Sequence, residues 1–481
     1  MSRYDTAWLR PAGMAGRKVD QGVMPEYIGH NEPRMARGGV VPLRLGASRV
    51  EESAVKLVRL VIASVAVVAV ATQAASAAPP EPTLEGRAVL PVATYAPGPT
   101  SGNFFAGQTT NGISFPTPSQ PVEGFSAVVS GRSPGEYLAM ADNGFGTKAN
   151  SPDFLLRAYY ITPDFKTAKG GEGTVAVGDF IQFRDPNGVI GFPIQRADRL
   201  LTGADLDPES LQRGKDGDLW MGDEFGPWIV HFDETGILLE PPFRVSAALV
   251  GSTSVTGFLE SPSSPFISLA SQATVGGSRG FEAIAVTPDG KYLYGLLEGA
   301  TVQDPNKDRR YLLEFSITDR AFTGNVWQYR TEPTVAGVQQ QPQCCFMADM
   351  GALDQHRMVV IERDNGRGAP VPPNPAPFSR GVYVFDLRDV GSDGFLEKTG
   401  IIDLAAIADP DLVSLPPIHA GDVLLGNPFG VACESIEAIH VISGARLLLG
   451  CDNNFPNTGR NASFADDNEL IVVRVPGLKS R

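Results

Sequence analysis

Histidine and cysteine are scarce in this chain, whose 481 residues carry five His and four Cys. The histidines are scattered and form no HExxH or comparable cluster. Cys344, Cys345, Cys433 and Cys451 match no zinc-ligand spacing, so the common zinc-hydrolase signatures are missing. No Ser-His-Asp clustering stands out either, which leaves a serine esterase mechanism with little support. Basic residues are outnumbered, 40 Lys and Arg against 54 Asp and Glu, for a net charge of −14. That balance disfavours nucleic acid as a partner. A long hydrophobic run is lacking too. The uncharged stretch 60–71 has only 12 residues, whereas a membrane span needs about 20. Lys56 and Arg59 precede it and Ala75-Ser76-Ala77 follows, so residues 55–77 read as a secretory signal peptide. Residues 1–54, rich in Gly, Pro and mixed charge without periodicity, read as a mis-assigned start or a disordered extension. The processed protein is then expected to be secreted or periplasmic, without a stable membrane span, and monomeric.

What the sequence does have is turns, with 53 Gly and 39 Pro, and a repeat. Five segments each pair an acidic residue with a short apolar strand: Glu123 in VEGFSAVV, Glu209 in DPESLQ, Glu282 in FEAIAV, Asp349 in ADMGAL and Glu437 in IEAIHVI. After a turn, a second apolar strand ends in acidic or amide residues: Asp142 and Asn143, Asp223 and Glu224, Glu298, Glu362 and Asp364, Asp452 to Asn454. The two acidic positions lie 13 to 19 residues apart, and successive units begin 86, 73, 67 and 88 residues after one another. Third strands follow (LLRAYYIT, WIVHFDE, YLLEFSI, GVYVFDL, ELIVVRV), and most units add a fourth. Four antiparallel strands per repeat is the blade of a β-propeller. The predicted fold is all-β, a single propeller spanning 85–477. Five blades are countable, and the insertions at 240–280 and 400–432 leave room for a sixth. The last unit runs out of chain after its third strand, so the strand-like segment 87–95 is expected to close the ring and remove its exposed edge. Helix is expected only in short pieces, such as the neighbourhood of residues 404–407.

A hairpin brings the start of its first strand beside the end of its second. Both acidic positions of every unit should therefore reach one face of the propeller, around the central channel. Two carboxylates about 4 Å apart repel by roughly 1 kcal/mol in water and several times more near a protein surface. A ring of them calls for cations, and calcium accepts six to eight oxygens of the carboxylate, amide and carbonyl types found here. The predicted metal ligands are Glu123, Asp142, Glu209, Asp223, Glu282, Asp349, Glu362, Glu437 and Asp452. The bland alternative is that these acids cap turns or pair with arginines to lock the blades together.

Four stretches, 205–241, 279–298, 349–364 and 437–454, resemble the phytase-like (esterase-like) domain of exported bacterial proteins, most strongly in the DPES…GDEFGPW block. The resemblance covers roughly residues 85–477. It implies a propeller related to calcium-dependent phytases and hydrolysis of phosphate or carboxylic esters. A metal-bound water is the expected nucleophile, with Glu224 and Glu298 as catalytic carboxylates. Arg279, Arg310 and Arg363 are expected to bind the substrate's negative charge. A non-catalytic propeller stabilised by calcium is the alternative. Cys433 and Cys451 flank one predicted hairpin and are expected to form a disulfide; the state of Cys344 and Cys345 stays open.

Overall fold

The structure, a computed structural model, describes residues 81–332, 345–370, 376, 379–443 and 445–479. The segments read as an extension and a signal peptide, 1–54 and 55–77, lie outside the described residues, as does Cys344. No helix among the described residues is long and apolar enough to cross a membrane.

Strand β1 (Thr83–Leu90) comes first. Then β2 (Phe125–Ser130), β3 (Tyr137–Ala141), β4 (Arg157–Asp164) and β5 (Thr174–Gln182) form the first repeat unit. The second holds β6 (Pro208–Arg213), β7 (Leu219–Asp223), β8 (Trp228–Phe232) and β9 (Phe243–Arg244). The third holds β10 (Phe281–Val286), β11 (Tyr292–Leu297), β12 (Arg309–Ser316) and β13 (Ala321–Arg330). The fourth holds β14 (Phe346–Ala352), β15 (Arg357–Arg363), β16 (Gly381–Val390) and β17 (Leu396–Asp403), and the last has β18 (Ser435–Ser443), β19 (Arg446–Asp452) and β20 (Asn468–Arg474). Three units are separate four-stranded antiparallel sheets. In the last, β1 supplies the outer strand, antiparallel to β20 from Thr83↔Arg474 to Leu90↔Asn468. Val89 pairs with Thr174, and Arg87 bridges to Lys166, which link it to the first unit.

The first strand of each unit neighbours that of the next, in the cycle β2, β6, β10, β14, β18 and back to β2. Apolar clusters fill the gaps between successive sheets. Leu138 and Met140 pack with Leu219 and Met221, whereas Trp220, between those last two, packs with Phe281 and Leu293 of the third unit. Successive side chains of a strand face opposite sides, so a strand buried on both faces reads as a continuous apolar run. That is why the repeats show as blocks of hydrophobics rather than as alternation, and the architecture is β-propeller-like.

One expectation is corrected. Residues 404–406 form a turn that leads into the Ile407 bridge, and among the described residues the helical pieces are three short 3-10 turns, Asn103–Phe105, Ala247–Val250 and Ala270–Gln272. Beyond β9 and the end of β17, the insertions at 240–280 and 400–432 hold isolated bridges such as Ser246↔Phe258 and Ile407↔Phe429. Cys433 and Cys451 are joined by a disulfide, and Cys345 is disulfide-bonded as well.

Candidate functional site: an acidic mouth

Glu209, Glu282 and Glu437 sit at β-bulges. Pro208 pairs with Asp223 and Ser210 with Gly222, which leaves Glu209 as the extra residue. The same irregularity isolates Glu282 between Phe281 and Ala283, and Glu437 between Ile436 and Ala438. A bulge re-aims the side chain it carries, and here it turns these glutamates into one cavity of about 140 Å³. In the first unit the bulged residue is Ser126, whose hydroxyl lies 3.2 Å from Glu437 Oε2.

The ends of the second strands contribute Asp142, Glu224 and Glu298, each just past the last paired position, and Arg363 and Asp452, each at it. With Asp207 and Glu434, nine carboxylates and two guanidiniums, Arg279 and Arg363, line the cavity. Carboxylate oxygens of Asp142, Asp207 and Glu209 lie within 4.8 Å of one another, as do those of Glu209, Glu282 and Glu437, and of Glu224, Glu282 and Glu298.

Burial comes first in raising the carboxyl pKa values, and like charge adds to it. Asp207, Glu209, Glu224, Glu282 and Asp452 are all held well above the carboxylate range by this combination. Burial pushes Asp142 up to about 7, with the Gly144 amide working against it and Glu437 adding to it. Glu298 is raised by burial while Arg279 and Arg363 pull it back. Burial opposes the charge on Arg363, but Glu437, Glu282 and Glu298 outweigh it and raise its pKa. Its Nη2 donates to Glu437 Oε1 at 2.5 Å and Glu282 Oε1 at 3.2 Å, and lies 3.5 Å from Glu298 Oε1. Glu224 is seated by a close backbone approach, since Gly280 N donates to its Oε1 at 2.9 Å. A Cβ at Gly280 would lie 2.4 Å from Glu224 Cα, so that approach requires glycine.

The structure thus gathers Asp142, Glu209, Glu224, Glu282, Glu298, Glu437, Asp452, Arg279 and Arg363 at the mouth, and places five other expected residues elsewhere. Asp223 accepts from Asp207 N at 2.7 Å and Gly226 N at 3.1 Å, tying the loop rather than facing the cavity. Glu362 is paired with Met347 and turned to the opposite face, bound by Tyr329, Lys398 and the Glu332 amide. In both hairpins alternation hands the mouth position to the next residue, Glu224 or Arg363. Asp349 accepts from Ser210 Oγ at 2.6 Å and lies 3.3 Å from Ile439 N, as a buried tie between inner strands. Arg310 spends its guanidinium on the Lys307, Arg309 and Cys345 carbonyls, and burial lowers its pKa to about 10.

Glu123 stands two residues before β2, buried, with neither carboxylate oxygen hydrogen-bonded. Burial and then Asp142 and Asp452 hold its pKa well above normal. It does not line the mouth.

Asp207, Glu434 and Ser278 line the mouth as well, outside the expected set. Asp207 stands two residues before Glu209 in DLDPES, and its Oδ1 accepts from Asn143 Nδ2 at 2.7 Å. Ser278, in Gly276-Gly277-Ser278-Arg279-Gly280, has GxSxG spacing, a φ of 48° and a place on the mouth. It precedes a strand instead of opening a helix, and no His among the described residues lines the cavity, so the context of a serine nucleophile elbow is not met.

The family profile described as "Phytase-like: Esterase-like activity of phytase" matches residues 120–455. The chain belongs to the phytase-like family. Among curated proteins, an uncharacterized secreted protein of Arthroderma benhamiae is 28% identical over 138 residues, 27% of each chain. The matched part thus spans about a quarter of that relative. Similar solved structures include a periplasmic gluconolactonase of Pseudomonas aeruginosa, 12% identical over 82% of this chain and all of that one, TM-score 0.29. A thermostable family-43 glycoside hydrolase is 10% identical, covering 75% of this chain and 94% of its own, TM-score 0.36.

Proposed function

We propose that this phytase-like protein is an exported, calcium-dependent hydrolase of phosphate or carboxylic esters, acting at the acidic mouth of a five-bladed propeller closed by β1. The cyclic adjacency of the five first strands and the β1–β20 pairing support the closed five-bladed reading. The family supports a hydrolase. Export is supported by the residue 55–77 pattern, the secreted relative and the Cys433–Cys451 bridge.

The observation that carries the metal reading is the convergence of nine buried or half-buried carboxylates on one small cavity, seven of them held above the usual carboxylate range. Oxygen-only ligands in a flexible cluster fit calcium. Asp142, Asp207 and Glu209 would hold one ion, and Glu224, Glu282 and Glu298 another. When bound, calcium supplies positive charge that polarises an ester or phosphoryl oxygen and acidifies water. Arg363 fixes Glu282, Glu298 and Glu437 in place, and the Gly280 amide fixes Glu224. Arg279, 28% exposed and paired with Glu298, is the one expected arginine open to a substrate anion. One available guanidinium suits a carboxylic ester or a single phosphate better than a polyphosphorylated substrate.

Calcium-stimulated turnover of a chromogenic phosphate or carboxylic ester, with metal content measured on the same sample, tests the reading. Calcium-dependent stability without turnover of any ester would instead identify a binding propeller, the reading favoured by how fully Arg363 and Arg310 are occupied within the protein.

A further inference from the structure

The channel has a second opening. Around it lie the far ends of all five first strands, among them Val129, Arg213, Val286, Ala352 and Val441, enclosing a cavity of about 270 Å³. Its chemistry is the reverse of the acidic mouth: among the described residues no Asp or Glu lines it, and its cationic side chains are Arg213 and Lys215. His440 also lines it, but burial lowers its pKa to about 4, and its Nε2 lies 3.2 Å from Ser130 Oγ. The imidazole is therefore neutral near pH 7.

Arg213 is the unusual group. Its Nε and Nη2 are hidden from solvent and have no hydrogen-bond partner, and Nη1 reaches only the Gly217 carbonyl at 3.3 Å. A guanidinium cannot shed its proton, so donors held this way stay charged and unsatisfied until an acceptor arrives. Lys215 lies across the turn at Gly290, where a Cβ would meet its Cγ at 2.8 Å and φ is +70°. Glycine there lets the lysine stem pack along the cavity wall while the side chain stays exposed. The nearest acid in that turn, Asp289, is engaged by Thr287 Oγ1 and Lys291.

We propose that this opening is a separate binding site for a small oxyanion, a carboxylate or a phosphoryl group, which accepts from Arg213 and is drawn in by Lys215. It owes nothing to the acidic mouth and stands whether or not that mouth is catalytic. Isothermal titration of the full chain with sodium phosphate and, separately, sodium succinate provides the test, in calcium-free and calcium-containing buffer.

The wild type should bind at least one of the two at one site per chain. Phosphate alone would mark a phosphoryl ligand and succinate alone a carboxylate. Arg213→Gln should weaken binding about tenfold, by loss of the charge-assisted bonds. Lys215→Ala should weaken it about threefold and flatten its salt dependence. Glu224→Gln, at the other mouth, should leave it unchanged. Failure to bind either anion, or binding that follows Glu224 instead of Arg213, overturns the site. Should Arg213→Gln not fold, the exposed Lys215 variant decides, and unchanged affinity and salt dependence there also overturn the proposal.

Discussion

Replacing Asp142 with Asn should stabilise the calcium-free protein and weaken its response to calcium. Burial raises this carboxyl to about 7 from a reference of 3.8. A folded-state pKa above the unfolded one contributes stability that is fully present below the unfolded value and is lost as pH rises through the folded value. At about 1.36 kcal/mol per unit, holding Asp142 in place costs under about 1 kcal/mol near pH 4 and about 4 kcal/mol near pH 7. Asparagine keeps an oxygen for the Gly144 amide, 2.7 Å away in the native site, and avoids the charge. Discounting the burial cost of the amide leaves an expected gain of about 2–4 kcal/mol at neutral pH and almost none near pH 4. Urea unfolding in chelator at the two pH values measures this directly. Calcium should then reverse the order, because an ion at 100 times its Kd adds about 2.7 kcal/mol to the wild type and loses a charged ligand in the variant. The reasoning fails if Asp142→Asn is less stable than the wild type in chelator at neutral pH, or if calcium stabilises both equally.

Glu224→Gln and Glu298→Gln should abolish calcium-dependent ester turnover while circular dichroism shows an intact fold, since Gln keeps the shape but not the charge. Ser278→Ala should retain turnover; its loss would move the nucleophile from water to Ser278. Glu362→Gln should lower the melting temperature through Tyr329 and Lys398 yet leave the calcium-induced shift unchanged. Arg363→Met strands three carboxylates and should cost about 3–5 kcal/mol in chelator by denaturant unfolding. Replacing Cys433 and Cys451 with Ser, which opens a bridge across a sequence separation of 18, should cost about 3 kcal/mol in the same measurement.

The sequence by itself determined the repeat, the all-β class and the chemical character of the site. Acids recur at the two ends of each hairpin, and antiparallel pairing alone brings such ends together. It also indicated residues 87–95 as the outer strand, of which only 87–90 fall in β1, and the Cys433–Cys451 pairing, a local consequence of hairpin geometry. Which of two adjacent side chains faces the mouth was decided only by tertiary structure. Asp223 against Glu224, and Glu362 against Arg363, are one-residue questions of register, and a bulge in each first strand shifts that register without any signature in composition. An arginine at the fourth place of an acidic ring also follows from packing: Arg363 is paired because Glu282, Glu298 and Glu437 arrive from the neighbouring first and second strands. The orphaned guanidinium of Arg213 belongs to the same class. Its residue type was visible in the sequence, but its missing partners are a property of what the fold does, and does not, bring beside it.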